Sequence, residues 1–490
     1  MFGEKEGARV ITTFKDKSPI DQRSKRRVDN INILVSPHWE ELSKENQDEF
    51  QRLIDTVQND DYLVVNLYTA GELEENSRAV YKDRLSAKES HVFSPSFSSL
   101  YSKCSNALLL NAIKEKYTLV TDHAVPSILH QDEILIEVSA IGLNPIDWKA
   151  PAFNFGIPSL PWVFGRDLAG TVIKTSSSSS RLQNGDLVLV PSTDYRDIRK
   201  AAFQEYAVTT HYNAAKIPST TSIHGGASIG VAYVAAVLAL GVSFGLDFGL
   251  AQSVPGPDLR TILKAVDAEK IPEDIRSECL PSSEAGAERV QRGDWIAIWG
   301  ASTTTGYIAL QIAKLCGLKV ICIADIARHG RRLHALGADI LVDRHDTDRA
   351  VDIIRGVTGG QLRFAIDIVG RETATILEKA LSQPNEGDNR PRSHLLGLTG
   401  SPKEKKAGIV YHTVPIKIFH ESPQVGEGLV RWLEELLESE ELIPPEVVIR
   451  DEGGLSGVND ALELLRSGEV SGKRIVVDLR KGDVKGTAAR

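Results

Sequence analysis

The stretch "IWGASTTTGY", Ile298 to Tyr307, decides how the rest of the chain is read. The residues before it, "DWIAI", have the apolar character of a buried strand, and "TGYIALQIAKLCG" has helical spacing. A parallel strand feeding a helix leaves free N–H groups at the helix start. These groups and the helix dipole favour an anion such as a pyrophosphate. Gly300 allows the tight turn, and Gly306 lets the helix pack against the strand. The middle glycine of G-x-G-x-x-G is absent. Ser302, Thr303 and Thr304 are expected to supply hydroxyl donors there, and Thr305 completes the loop. Nineteen positions beyond Gly306 comes Asp325, where an acid is expected to meet the ribose 2′-OH of NAD. Arg328, Arg331 and Arg332 follow and would neutralise the 2′-phosphate of NADP. The alternative makes Asp325 a helix N-cap and the arginines a solvated face, so the lean toward NAD is slight.

Around this loop the texture alternates: "LKVICIAD", "RHGRRLHALGA", "DILVD", "VDIIRGVTG", "FAIDIVG", "TATILEKALS" and "HLLGLTG" read as strand and helix in turn. Such alternation predicts a parallel sheet wound on both faces. Residues 106–228 read instead as short strands between turns, a compact β-rich unit, with "SSSSSRLQNGD" (176–186) as a polar hairpin loop. A final strand, "KRIVVDL", lies in the closing 425–490 segment. The cofactor-binding part is expected over 229–424, interrupted by a polar, proline-containing insertion at 247–292 with one or two short helices. Residues 1–105 stand apart as an N-terminal α/β segment, with "NINILV" and "YLVVNLY" as strands around a helical stretch from Pro37. "SPSFSSLYSKCS" (94–105) reads as a linker.

Composition is that of a soluble globular protein, 42% hydrophobic and 25% charged, and 490 residues suffice for two or three cores. A net charge of -9 argues against a nucleic-acid surface over the whole chain. The basic run "RSKRR" (23–27) reads as a solvated tail or a local anion patch. Cys104, Cys279, Cys316 and Cys322 show no C-x-x-C spacing, which excludes a zinc ribbon or disulfide framework and suits a cytoplasmic protein. The uncharged run 229–246 reaches the minimal length of a membrane span, but Gly230, Gly241 and Gly245 suit a closely packed internal helix better.

"GDWIAIWGASTTTGYIALQIAKLCGLKVI", the later "LHALGAD", "AIGLNPIDWK" (140–149), "FGRDLAGTV" (164–172) and "SGEVSGKRIVVDL" (467–479) resemble, in this order, the medium-chain dehydrogenase/reductase superfamily. Within it the chain is most similar to the zinc-free branch of quinone reductases and fungal trans-acting enoyl reductases. The resemblance covers about residues 106–490. It implies a Rossmann cofactor domain beside a GroES-like catalytic domain, the latter formed by 106–228 and completed by about 425–490, and a homodimer. It also implies cofactor contacts at Val369 and Gly370 in "DIVG" and at Leu398 and Thr399 in "GLTG". Asn144 and Lys149 would lie near the nicotinamide and the substrate, with Lys149 contacting cofactor or oxyanion. Gly472 and Lys473 match the family's closing "GK".

Zinc-dependent relatives carry a cysteine after the "A-x-G" strand and a Gly-His-Glu motif; here those places hold Asn144, Pro145 and Asp147, then Gly165, Arg166 and Asp167. A metal-free site is therefore expected. Without a Lewis acid, hydride addition to a conjugated C=C or a quinone is easier than reduction of an unactivated carbonyl, because charge spreads into an enolate or hydroquinone. The expected activity is zinc-independent, NAD(P)H-dependent reduction of an enone, enoyl thioester or quinone, with a small-molecule substrate and no membrane or nucleic-acid partner. The rivals are an alcohol or aldehyde dehydrogenase and a non-catalytic cofactor- or RNA-binding protein. Tyr233, opening the apolar helix, is a candidate proton donor, with core packing as the competing role.

Overall fold

The computed structural model describes residues 104–176, 180–281, 288–383 and 391–480, together with the backbone of three short strands nearer the N-terminus. Those three, Asp29–Leu34, Leu63–Tyr68 and Ala79–Tyr81, form a small sheet within a compact unit, Met1–Leu100. The first two pair in parallel, from Asp29↔Leu63 to Leu34↔Tyr68, and parallel neighbours need a crossover. The helix expected between them and the "RSKRR" run lie outside the described residues.

The second unit, Tyr101–Arg490, holds the β-rich and the alternating parts. Its first strand, Cys104–Leu110, takes in the last two residues of the expected linker. Glu133–Gly142 is the spine of the β-rich part, mostly buried along its length. It pairs antiparallel with Asp167–Thr175, with Tyr206–Thr210 and, near its far end, with the late strand Arg474–Asp478. The chain's C-terminal portion thus completes a sheet begun 334 residues earlier (Gly142↔Val476). The serine-rich segment joins the antiparallel pair Asp167–Thr175 and Leu187–Pro191, as a hairpin loop should.

The uncharged run folds as the helix Gly230–Leu238, followed by a wide helical turn over Ala239–Ser243. Its small residues have a packing reason: a Cβ on Gly241 would lie 2.7 Å from Phe248 Cε2. Val234, Val237 and Leu238 are fully buried, each burial contributing roughly 1.5–3 kcal/mol, and their helix packs against the Thr304–Leu315 helix. Among the described residues no helix is long and apolar enough to cross a membrane.

Six parallel strands make the second sheet: β1 (Trp295–Trp299), β2 (Lys319–Ala324), β3 (Ile340–Asp343), β4 (Phe364–Asp367), β5 (Ser393–Gly397) and β6 (Ile409–His412). Their order is β3-β2-β1-β4-β5-β6. That order is produced by two βαβ halves wound outward from β1 in opposite directions, so the loops at the carboxyl ends of β1 and β4 part and leave a crevice. The central strands are apolar without alternation, as burial on both faces requires: Ile296, Ala297 and Ile298 are fully buried. Within the insertion stand two short helices, Leu259–Lys264 and Glu273–Cys279. Arg260 ties the first to the wide turn, donating to the carbonyls of Val242 (2.8 Å) and Ser243 (2.7 Å).

Candidate active site

The opening loop sits at the carboxyl end of β1, beside the crevice. Gly300 has φ +90°, a conformation side chains resist, and a Cβ there would lie 2.9 Å from Val369 Cγ2. The turn is pinned to β2 by the N–H groups of Gly300 and Ala301, which both donate to the Ile323 carbonyl. Thr303 is the helix N-cap: its Oγ1 accepts from Gly306 N at 3.1 Å and donates to Gly300 O at 2.8 Å. This corrects one expectation. The Thr303 hydroxyl closes the turn and is not available to a phosphate. Ser302, Thr304 and Thr305 remain half-buried around the helix start, where the first-turn N–H groups face outward without intrahelical partners. A Cβ on Gly306 would stand 2.5 Å from Gly300 O, so glycine there lets helix and turn touch.

The neighbouring loops converge on this turn. At the end of β4, Asp367 Oδ1 accepts from the N–H groups of Val369 (3.1 Å) and Gly370 (2.8 Å), and the Asp367 carbonyl accepts from Leu398 N (2.8 Å). Val369 and Thr399 are exposed beside Gly300 and Leu398. Burial pushes the Asp367 carboxyl up to about 6. Asp325, at the end of β2, caps the Ile326–Ala335 helix through Arg328 N (3.2 Å), and its Oδ2 lies 3.6 Å from His345 Nε2. Burial acts to raise this carboxyl, but the Arg328 N–H and His345 together hold it below its ordinary value. The arginines divide their work. Arg332 donates to Gly472 O at 2.7 Å and lies 4.1 Å over the Tyr307 ring, while His329 Nε2 meets Ser471 Oγ at 3.0 Å. They clamp the closing "SGK" loop to the cofactor part. Arg328 and Arg331 stay exposed.

In the β-rich part, Asn144 caps the Pro145–Phe153 helix and Asp147 Oδ2 accepts from Asn144 N at 2.7 Å. The Asn144 amide donates to Asp167 Oδ2 (3.0 Å) and accepts from Arg474 Nη2 (2.6 Å). Arg474 Nη2 also bonds Asp167 Oδ2 at 2.6 Å, and Asp167 Oδ1 takes the N–H of Val231 at the start of the apolar helix (2.6 Å). Asn144 is thereby a buried structural link between a strand, a helix and the returning C-terminal strand. Burial raises the Asp167 carboxyl even though Arg474 opposes this, and burial pushes Asp147 up to about 7. Lys149, one turn on, is half-buried, with Nζ 5.7 Å from the Trp148 ring. Tyr233 does not suit proton donation: it is fully buried, and its hydroxyl donates to the Leu429 carbonyl at 2.9 Å. Core packing is the role this geometry fits.

The place of a catalytic zinc in such a fold does not suit a cation here. Arg166 stands at that sequence position, 1% exposed, and of the two buried carboxylates beside it Asp167 is paired with Arg474 while Asp147 accepts from Asn144 N. Among the described residues no group of three His, Cys, Asp or Glu side chains could hold a metal. Sequence reasoning noticed Arg166 only as a missing histidine. It missed Ser192, Tyr195 and Arg474, which reach the site from distant segments. The one local signal was a charged pair, Arg166–Asp167, opening an otherwise apolar strand.

A dinucleotide sheet order and a glycine turn at its crevice, facing a β-rich part completed by the chain's end, define a two-part oxidoreductase fold. Comparison with known proteins agrees. Residues 130–219 match the alcohol dehydrogenase GroES-like domain, and residues 304–387 match the family described as zinc-binding dehydrogenase. A trans-enoyl reductase of Thermothelomyces thermophilus is 26% identical over 384 residues, 73% of this chain and 92% of that one. The enoyl reductase component of the lovastatin nonaketide synthase of Aspergillus terreus is 28% identical over 377 residues, 72% of this chain and 90% of that one. Among solved structures, the quinone oxidoreductase of Escherichia coli complexed with NADPH aligns with a TM-score of 0.55 at 18% identity, covering 76% of this chain and 99% of that one. The CurK enoyl reductase aligns equally well, at 0.55 and 15%, over 76% of this chain and 99% of that one. These matches make the chain similar to the medium-chain dehydrogenase/reductase superfamily.

Proposed function

We propose that this protein is a zinc-independent NAD(P)H-dependent reductase of an activated C=C bond, with enoyl thioesters and enones as the substrate class and quinones as further acceptors. The observation that supports this reading is the buried Arg166 guanidinium, at the sequence position where zinc-dependent relatives carry a histidine, in a chain whose Gly300 turn ends the first strand of a dinucleotide-type sheet. Bound in the crevice, the nicotinamide would supply the hydride. Gly300, the first-turn N–H groups of Thr304 and Thr305, and Ser302 would hold the pyrophosphate; Val369, Gly370, Leu398 and Thr399 would border the nicotinamide side. Lys149 is the cation proposed to neutralise the oxygen that becomes an enolate, a contribution of the kind oxyanion donors make.

The choice of cofactor turns on Asp325. Its carboxylate is tied to the helix start and to His345, while Arg328, Arg331 and Arg344 stand exposed close by. That surround suits a 2′-phosphate, so NADPH is the cofactor proposed, against the slight lean to NAD from an acid at this position. The experiment is NADPH and NADH oxidation with a panel of enoyl thioesters, enones and quinones, run beside Lys149→Ala. Reduction of at least one conjugated acceptor, with kcat lowered about 100-fold in the variant, is expected. Tight cofactor binding with no acceptor reduced would overturn the proposal.

A further inference from the structure

Three buried polar groups meet where the Asp167 strand, the Pro145–Phe153 helix and the loop after Pro191 come together. Asp147 Oδ1, Nε and Nη2 of Arg166, and Ser192 Oγ have no hydrogen-bond partner among the described residues. Ser192 is held beside Arg166 by its N–H, which donates to the Arg166 carbonyl at 2.7 Å. The guanidinium is not idle. It lies 3.7 Å from the centre of the Tyr195 ring and 5.5 Å from that of Phe164. Guanidinium against an aromatic face at this distance is an attraction strengthened by desolvation.

Tyr195 combines two properties that rarely coincide. It is set so deep that burial raises its phenol above the ordinary value, yet its side chain keeps partial exposure. A ring packed against the protein while part of its side chain stays open to solvent can present its hydroxyl to a bound molecule. No described residue hydrogen-bonds its hydroxyl. The loop that carries it is fastened across the molecule: Thr193 Oγ1 meets His420 Nδ1 at 2.8 Å, and His420 belongs to the segment following β6. The loop that bears Tyr195 is therefore tied to the segment following the cofactor sheet. The hydroxyl is a free donor, in the protonated form at neutral pH.

We propose that Tyr195 is the catalytic residue that protonates the α-carbon, and that Arg166 is the positioning residue that holds its ring. This rests on the alkene-reduction reading above. Once hydride has added to the β-carbon, the former C=C pair lies on the α-carbon–carbonyl unit as an enolate. The Tyr195 O–H bond then breaks, its proton forms the new Cα–H bond, and the O–H electrons stay on the phenolate oxygen. Arg166 lowers the cost of that phenolate across the ring face, and cleft water returns the proton. The role of Lys149 is separate: it faces the enolate oxygen.

The test uses Tyr195→Phe, which keeps the ring and its stacking, with an α-methyl enoyl thioester and NADPH in D2O. The expected result is a fall in kcat of about 100-fold, with KM and cofactor Kd changed less than about two-fold. The wild type should place deuterium at one face of the α-carbon and the variant at both. A second readout needs no cofactor. In an ultraviolet pH titration of the full chain, the transition lost in Tyr195→Phe should move to higher pH in Arg166→Gln, and Arg166→Lys should restore part of both the shift and the rate. Tyr195→Phe with wild-type rate and a single α-configuration overturns the donor role, as does a slow variant that still sets one configuration. An unmoved phenol transition in Arg166→Gln overturns the positioning role. A wild-type protein that binds NADPH but reduces no conjugated acceptor refutes the functional reading itself.

Discussion

Alanine at Gly306 puts one methyl group where the structure leaves no room for it. Its Cβ would lie 2.5 Å from Gly300 O and 2.7 Å from Ala301 Cα. Both are backbone atoms of the turn, so no side chain can swing aside. Restoring an ordinary 3.4 Å contact parts the turn from the helix start by about 0.9 Å. Overpacking of this kind costs about 1–3 kcal/mol of stability. The larger effect falls on the cofactor, because N–H bonds to a charged group, worth about 1.5–3 kcal/mol each, depend on alignment. Losing one such bond weakens binding roughly 10- to 100-fold, at 1.4 kcal/mol per tenfold. NADPH titration by fluorescence, beside thermal unfolding, measures the two effects separately. Gly356→Ala is the control: it lies in the Thr347–Thr358 helix, exposed, with no atom within 4 Å of the new Cβ. That change should stabilise by about 0.5–1 kcal/mol and leave NADPH affinity alone. A folded Gly306→Ala protein that binds NADPH as tightly as the wild type would falsify the assignment of this turn.

Asp147 offers a pH prediction. Its carboxyl is raised from 3.8 to about 7 by burial, so between roughly pH 4 and 7 the folded chain binds a proton that the unfolded chain has released. Stability falls as pH rises through that window, by up to about 4 kcal/mol. Asp147→Asn should flatten the slope, and urea midpoints at pH 5 and pH 8 check it: the variant gains on the wild type only at the higher pH. Arg474→Met leaves Asp167 buried without its cation, and a loss of about 3–5 kcal/mol is expected in urea unfolding. Arg328→Ala should weaken NADPH about tenfold and leave NADH nearly unchanged, since a single exposed guanidinium on a phosphate is worth about 1.5 kcal/mol. Equal effects on the two cofactors would remove Arg328 from the 2′-phosphate site.

Local sequence carried the sheet and its turn because each rests on a short-range rule. Uninterrupted apolar strands, Gly300 and Gly306 at turn spacing, and Asp325 at the next strand's end are all visible within about 30 residues. The identity of the N-cap was not visible. Ser302, Thr303 and Thr304 all have the right chemistry, and only backbone geometry selects Thr303 and so engages its hydroxyl within the turn. The catalytic side was harder for a different reason. Asn144, Asp167 and Arg474 are separated by up to 330 positions and meet only because a late strand inserts beside an early one. Tyr233 misled because a tyrosine at a helix start looks alike in the sequence whether its hydroxyl faces a cleft or the Leu429 carbonyl. Arg166 and Tyr195 gain their interest from a stacking contact between a strand and a loop nearly thirty positions on.

The returning strand has a consequence for the order of events in synthesis. Glu133–Gly142 and Asp167–Thr175 leave the ribosome long before Arg474–Asp478, the strand that pairs with the first and supplies the counter-charge to Asp167. Until then Asp167 lacks its cation, and one flank of the spine strand lacks part of its hydrogen bonds. The β-rich half begins first and can be finished only last, after all six strands of the cofactor sheet have been made. A nascent chain halted before residue 474 would hold a complete dinucleotide sheet beside an open catalytic one.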